Sequence, residues 1–358
     1  MAGAMPLRRN HAKTRRNKRE RKINAKQTTK SKNVTHRKRV GRRIGRRVGK
    51  RSGKGGVTLP TPRRVPPVLL NKATECGKAR LPRQYASNCW LNACVTSFFA
   101  SQRMSAANLP MREHLHHPQS IASLFLSPKM KADLRGLSKV IEAIPLGEIK
   151  HEYSTAALIN GLLAIDKEGL TTPRNRLGAS VGRSHNPLWM YSALTKLLLP
   201  GTFQILKCDL TDKTGIVHES LDSALDASLI YNASPINDSP IQPQVLFIEA
   251  GQETAESAVR EALLSAIAAE NVLAAKGFDW RLDSVVMLDS TNSHFGGIVT
   301  CAGVPHSYDG MTGAKLHPKH SWKEIVEQFR GRKIPTPAPQ DFKYNIHTGY
   351  TIFAFVRA

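Results

Sequence analysis

The chain has 358 residues with 41% hydrophobic and 6% aromatic content, enough for one sizeable core and a length of unstructured chain besides. Its formal net charge is +26, but residues 1–56 carry 22 of the 53 Lys and Arg against a single acid, Glu20, so the charge is a tail and not a surface. No apolar run approaches the roughly 20 residues that span a bilayer, and the basic N-terminus lacks the apolar segment of a secretory signal. Membrane insertion and secretion are therefore not expected, and a cytosolic, nuclear or virion setting is.

From Arg8 to Lys54 the chain is mostly Arg, Lys, Asn, Thr and Gly, including the near-repeat VGRRIGRRVGKRSGKGG at 40–56. It has too little to bury to offset its ordering entropy, so disorder in isolation is predicted for 1–56. Such a segment attracts a polyanion by counterion release, without base readout, which makes nucleic acid its expected partner. A nuclear-import address is the plainer use of the same charge. The Pro-rich stretch 57–67 reads as a semi-rigid spacer, and a folded domain is expected over 68–358.

Inside that domain, SNCWLNACVTSFFASQRM places Leu91, Cys94, Val95 and Phe98 on one helical face, with Ser87 or Asn88 as cap, so Cys89 falls at a helix N-terminus. Further helices are predicted over 154–167, capped by Ser154; over 187–199, opened by Asn186 and Pro187; and over the Ala- and Glu-rich 253–276, closed by Gly277. Strand-like runs lie at 203–210, 244–250, 284–289, 294–303 and 350–357. Helices come early and strands late, an order that predicts an α+β domain with a helical lobe on an antiparallel sheet. The five cysteines, 76, 89, 94, 208 and 301, form no C-x-x-C pair, so free thiols are expected, with no disulfide framework or zinc ribbon.

Cys89 is a candidate nucleophile, because a helix N-terminus and a nearby imidazolium both favour the thiolate. The imidazole would be His294, which opens a strand. Asp309 follows fifteen residues later in SYDG, a spacing at which a hairpin brings both side chains to neighbouring strands. Gln84, in the loop before Cys89, can aim an amide at a developing oxyanion, with Asn88 as the alternative. Taken singly, each has a plainer reading: a small buried hydrophobe for Cys89, a structural ring for His294, a turn for Asp309. The combination favours chemistry.

With these residues in view, QYASNCWLNA resembles the cysteine box of papain-like peptidases, and its CWLN core that of ubiquitin-specific proteases. SHFGGIV followed by HSYDG is similar to their histidine box, and GYTIFAFVR to their closing strand. NPLWMYSALTKLLL resembles their helix after the cysteine box. The departures are YASN in place of the Gly-Asn-Thr run, Gln84 where they carry Asn, Ser293 where they carry Gly, and missing zinc-binding cysteine pairs. The resemblance implies a divergent papain-like cysteine peptidase of the compact kind found among large DNA viruses, in nucleus, virus factory or virion. It further implies Cys89 as nucleophile, His294 as general base, Asp309 as its orienting acid and Gln84 as oxyanion donor. Ubiquitin or ubiquitin-like conjugates would be the partners, and the chemistry needs no metal or organic cofactor.

EHLHH at 113–117 has ligand residue types on an expected surface loop but no further ligands nearby, so it is not read as a metal site. His185, His306 and His320 read as surface or structural, and Trp189 with the Leu run after it as core. GKGG at 53–56, just before Val57, is a Gly-Gly junction that such a peptidase could cut, releasing the basic arm. Two other readings remain open: a genome-packaging protein with an inert peptidase-like body, and a protease of virion precursors.

Overall fold

The computed structural model describes residues 73–80, 82, 89–116, 127–146, 186–199, 201, 203–231, 242–289, 291, 294–309, 316–319, 321–333 and 343–358. The basic segment, the Pro-rich spacer, the helix expected at 154–167, and Gln84, Ser87, Asn88, His185 and His320 lie outside these residues. The chain divides into two units, 1–60 and 61–358, and every described residue falls in the second.

Among the described residues, six helices form one layer. Helix α1 is Ala73–Lys78 and α2 is Cys89–Val95. A π-helical turn, Thr96–Ala100, follows α2 directly; the chain then bends at Ser101 and re-enters a helix as α3, Gln102–Ala107. Next come α4 (Leu109–His116), α5 (Pro128–Leu146) and α6 (Pro187–Leu198). The sequence predicts one apolar face for the Cys89 helix, whereas every residue from Cys89 to Ala100 is buried. The helix is enclosed, with the sheet on one side and α5 and α6 on others, so no face remains for solvent. Helix α6 starts where expected, because the Asn186 side chain accepts the Leu188 N–H at 2.9 Å and Pro187 needs no acceptor for a missing N–H.

The strands are β1 (Ile205–Asp209), β2 (Leu229–Tyr231), β3 (Val245–Ala250), β4 (Leu273–Ala275), β5 (Phe278–Leu288), β6 (Phe295–Cys301), β7 (Val304–Asp309), β8 (His317–Pro318), β9 (Arg330–Lys333), β10 (Lys343–Asn345) and β11 (Thr351–Arg357). Nine of them make one sheet, ordered β2-β1-β3-β11-β5-β6-β7-β8 with β4 beside β5, while β9 and β10 pair separately. The expected antiparallel sheet needs one correction, since β1 and β3 run parallel. The cause is β2, which folds back along the outer edge of β1 and turns the chain before β3 enters on the inner edge.

A second correction concerns layers. Helices α7 (Leu221–Asp226), α8 (Ala258–Ala268) and α9 (Trp322–Gln328) cover the other face of the sheet. Along β11, Ile352, Ala354 and Val356 join the core with α2 to α6, while Phe353 and Phe355 join the core with α8 and α9. With both faces buried, the strand is apolar throughout instead of alternating. Each fully buried Phe contributes about 2 to 3 kcal/mol relative to exposure. The molecule is thus a mixed α/β fold, a large sheet between two helical layers.

Other expectations shift for local reasons. The helix predicted over 253–276 is only Ala258–Ala268, started by Ser257, whose Oγ accepts the Arg260 N–H at 3.3 Å. Glu270 has φ 55°, which ends helical geometry, and 273–275 is strand β4. Gly277, expected to close a helix, instead closes the two-residue β4–β5 turn with Lys276, at φ 77° and 53°. Trp189 is 47% exposed and not core, although Leu194, Leu198 and Leu199 are buried. Cys76 and Cys301 are joined in a disulfide with Cα atoms 5.9 Å apart, against the expectation of free thiols throughout. Their separation of 225 residues leaves no spacing signal, and the bond ties the end of β6 to α1. Cys89, Cys94 and Cys208 are free and buried. Among the described residues no helix is long and apolar enough to cross a membrane.

Candidate active site

Strands β6 and β7 are joined by Ala302 and Gly303, at φ 52° and 78°, a two-residue turn whose twist suits a hairpin. Its register pairs Gly296 with Asp309 and Gly297 with Tyr308. His294, two residues before Gly296, shares the side of the pleat that Asp309 occupies, and its Nε2 lies 2.7 Å from Asp309 Oδ1. Both side chains are buried, at 1% and 0% exposure.

Two further groups fix this pair. Asp309 Oδ2 accepts the Tyr344 hydroxyl at 2.9 Å. Asp289, bridged to Tyr344 through the backbone, accepts the His294 N–H at 2.7 Å and the Thr291 N–H at 3.1 Å, closing the turn from β5 into β6. The Gly-Gly pair makes room. A Cβ on Gly296 would meet Tyr344 Oη at 2.7 Å, and one on Gly297 would meet Val285 O at 2.3 Å and Tyr308 Oη at 2.9 Å. Only bare backbone lets the two tyrosines lie against the strand.

The same strands hold the Cys89 helix. Tyr308 Oη and Ser97 Oγ are 2.7 Å apart, joining β7 to the π-helical turn. On β5 the pairing with β11 shifts between Ala354 and Phe355, which face Ser284 and Leu282, so Asp283 is the extra residue of a bulge. A bulge re-aims side chains. Here it turns Asp283 and Ser284 both toward the helices: Ser284 Oγ donates to Ser97 O at 2.9 Å, and Asp283 accepts the N–H groups of Arg103 and Met104 at 3.0 and 2.8 Å. Ser101 Oγ donates to Asp283 O at 3.0 Å and accepts the Thr300 N–H at 2.9 Å. Burial pushes the Asp283 carboxyl up, and these N–H bonds oppose it. Asn92 Nδ2 donates to Pro82 O at 3.1 Å, fastening the approach to Cys89 onto its own helix.

Cys89 is the first residue of α2 and is 1% exposed. Its side chain is among the groups that favour the charged form of the His294 ring. Burial, the largest influence on His294, disfavours its charge; the hydrogen bond and charge of Asp309, together with Cys89, outweigh it and raise the ring to about 9. A protonated ring between a carboxylate and a sulfur can keep the sulfur anionic and later return a proton. Cys94 differs: burial drives its thiol far up, without an imidazole to answer it.

The structure therefore brings Cys89, His294 and Asp309 together, while Gln84 and Asn88 fall outside the described residues. Sequence reading missed Tyr344, Asp289, Tyr308 and Asp283. The Gly-Gly after His-Phe was the available hint of close approach by rings; for Tyr344, 35 positions from Asp309, no local signal exists. The stretch 113–116 is helical, not a loop, and His117 lies outside the described residues. Among the described residues no three His, Cys, Asp or Glu are grouped to hold a metal. His306 is buried, its Nδ1 2.8 Å from Val304 O, a structural ring.

No protein-family profile matches the sequence, and no curated protein does. Solved structures similar to this chain include a SAGA DUB module containing Ubp8 bound to monoubiquitin, at 9% identity over 81% of this chain and 72% of that one with a TM-score of 0.43. The same module bound to ubiquitin aldehyde is similar at 9% identity, 81% and 72% coverage and a TM-score of 0.44. An essential yeast splicing factor follows at 10% identity, 79% and 70% coverage and a TM-score of 0.41. TM-scores below 0.5 leave both fold and activity to be argued from this chain's own residues.

Proposed function

We propose that the chain is a papain-like cysteine peptidase that hydrolyses ubiquitin or ubiquitin-like conjugates, with 68–358 as its catalytic domain. The observation that carries this reading is the His294–Asp309 contact of 2.7 Å, with Cys89, the first residue of a buried helix, among the groups that raise the same ring. His294 takes the Cys89 proton, and the thiolate attacks the carbonyl after the substrate's terminal glycine. Gln84 and the Cys89 N–H hold the oxyanion. The imidazolium protonates the leaving amine, a thioester remains, and water activated by His294 releases the acid and restores the thiol. The basic arm, 1–56, tethers the enzyme to nucleic acid in nucleus, virus factory or virion.

The test is to incubate the full-length chain with ubiquitin bearing a C-terminal thiol-reactive warhead. The expected result is an adduct of one ubiquitin, lost in Cys89→Ala and kept in Cys94→Ala. No adduct, with iodoacetamide also failing to prefer Cys89, would favour an inert packaging body; preference for Cys89 without a ubiquitin adduct would point to another substrate, such as a virion precursor.

A further inference from the structure

The β6–β7 turn lies at the far end of the sheet from His294. There β5, β6 and β11 meet α8 and α9 around a small open cavity of about 90 Å³. Ile267, Leu282, Trp322 and Phe355 give it apolar walls. Arg103 and Arg281 also line it, and Glu270 is the one carboxylate among the lining residues. Arg103 is fixed by a 3.1 Å bond from Nη1 to Leu282 O, which leaves its other N–H donors available. Arg281 is exposed and forms no ion pair among the described residues.

Two guanidinium groups over an apolar, aromatic floor suit a carboxylate or phosphate better than water alone does. The fork supplies directed donors, and the floor excludes competing solvent. We propose that this cavity binds a small molecule carrying a carboxylate or phosphate on an aromatic or branched apolar body.

Its walls touch the anchors of the Cys89 helix. Thr300, which lines the cavity, gives its N–H to Ser101 Oγ at 2.9 Å and its hydroxyl to Asp283 O at 2.7 Å, and Arg103 N–H bonds Asp283 at 3.0 Å. Gly303 N–H bonds Gln102 Oε1 at 2.7 Å. The ligand therefore contacts Thr300 and Gly303, which hold Ser101 and Gln102 just after the π-helical turn, and its binding alters the reactivity of Cys89. This second part rests on the proposed function only for its consequence, not for its measurement.

The experiment is calorimetric titration of the full-length chain at physiological salt with phenyl phosphate, inorganic phosphate and benzamide. Saturable one-to-one binding of phenyl phosphate is expected, at least tenfold tighter than inorganic phosphate, with none for benzamide. Arg281→Gln, at an exposed position, should weaken it at least tenfold with melting unchanged. Binding that Arg281→Gln leaves intact belongs to the basic arm and overturns the proposal, as does equal affinity for inorganic phosphate. At saturation the iodoacetamide rate of Cys89 should change at least twofold; an unchanged rate overturns the coupling to the helix, whatever the substrate of the site proves to be.

Discussion

The two faces of the central sheet are buried by different means. Toward α2 and α3 the contacts are threaded with polar groups: Ser97, Ser101, Asp283, Ser284, Thr300 and Tyr308 are all buried, and each has a hydrogen-bond partner across the layer. Toward α8 and α9 the layer is apolar, with Ile248, Val285, Phe353 and Phe355 on the strands and Arg260 as the main exception. Arg260 is itself a clamp, bonding Ile346 O at 2.8 Å and Gly251 O at 2.9 Å. Hydrogen bonds have direction and apolar burial does not. One face therefore sets where Cys89 sits relative to His294, and the other mainly supplies stability.

Substitutions should separate these roles. The largest effect is expected from Phe353→Ala on the apolar face, about 3 to 5 kcal/mol in denaturant melts, with iodoacetamide reactivity of Cys89 unchanged per folded molecule. A change in both would blur the distinction. Asp309→Asn should leave melting closer to wild type but slow turnover about a hundredfold or more through loss of ring orientation. It also moves the alkaline limb of activity. In the proposed mechanism the imidazolium donates the proton and exists below its pKa of about 9, so removing a group that raises that value shifts the limb to lower pH. Tyr308→Phe removes the link to Ser97 and should cost only about 1 kcal/mol, yet slow Cys89 alkylation, because that link positions the helix more than it stabilises it.

Legibility in the sequence follows the same division by distance. His294 and Asp309 could be paired in advance because fifteen residues with a turn close a hairpin, and the register then places both on one side of the pleat. Cys89 at a helix start was equally local. The anchors were not: Ser101 to Asp283 spans 182 residues, and Cys76 to Cys301 spans 225. A bulge at Asp283 depends on how β11 pairs with β5, which no window of residues reveals. Composition alone made 253–276 one helix, since Ala and Glu are helix formers; what ended it was backbone geometry at Glu270 and a turn at Lys276 and Gly277.

The most direct measurement is the titration of the His294 ring by NMR in the full-length chain, with and without Cys89→Ala. If Cys89, His294 and Asp309 form one charge-coupled unit, the ring titrates near 9 and falls when the sulfur is removed. A ring that titrates near the ordinary 6.5 and ignores Cys89→Ala would contradict that unit, and with it the case for a thiol peptidase.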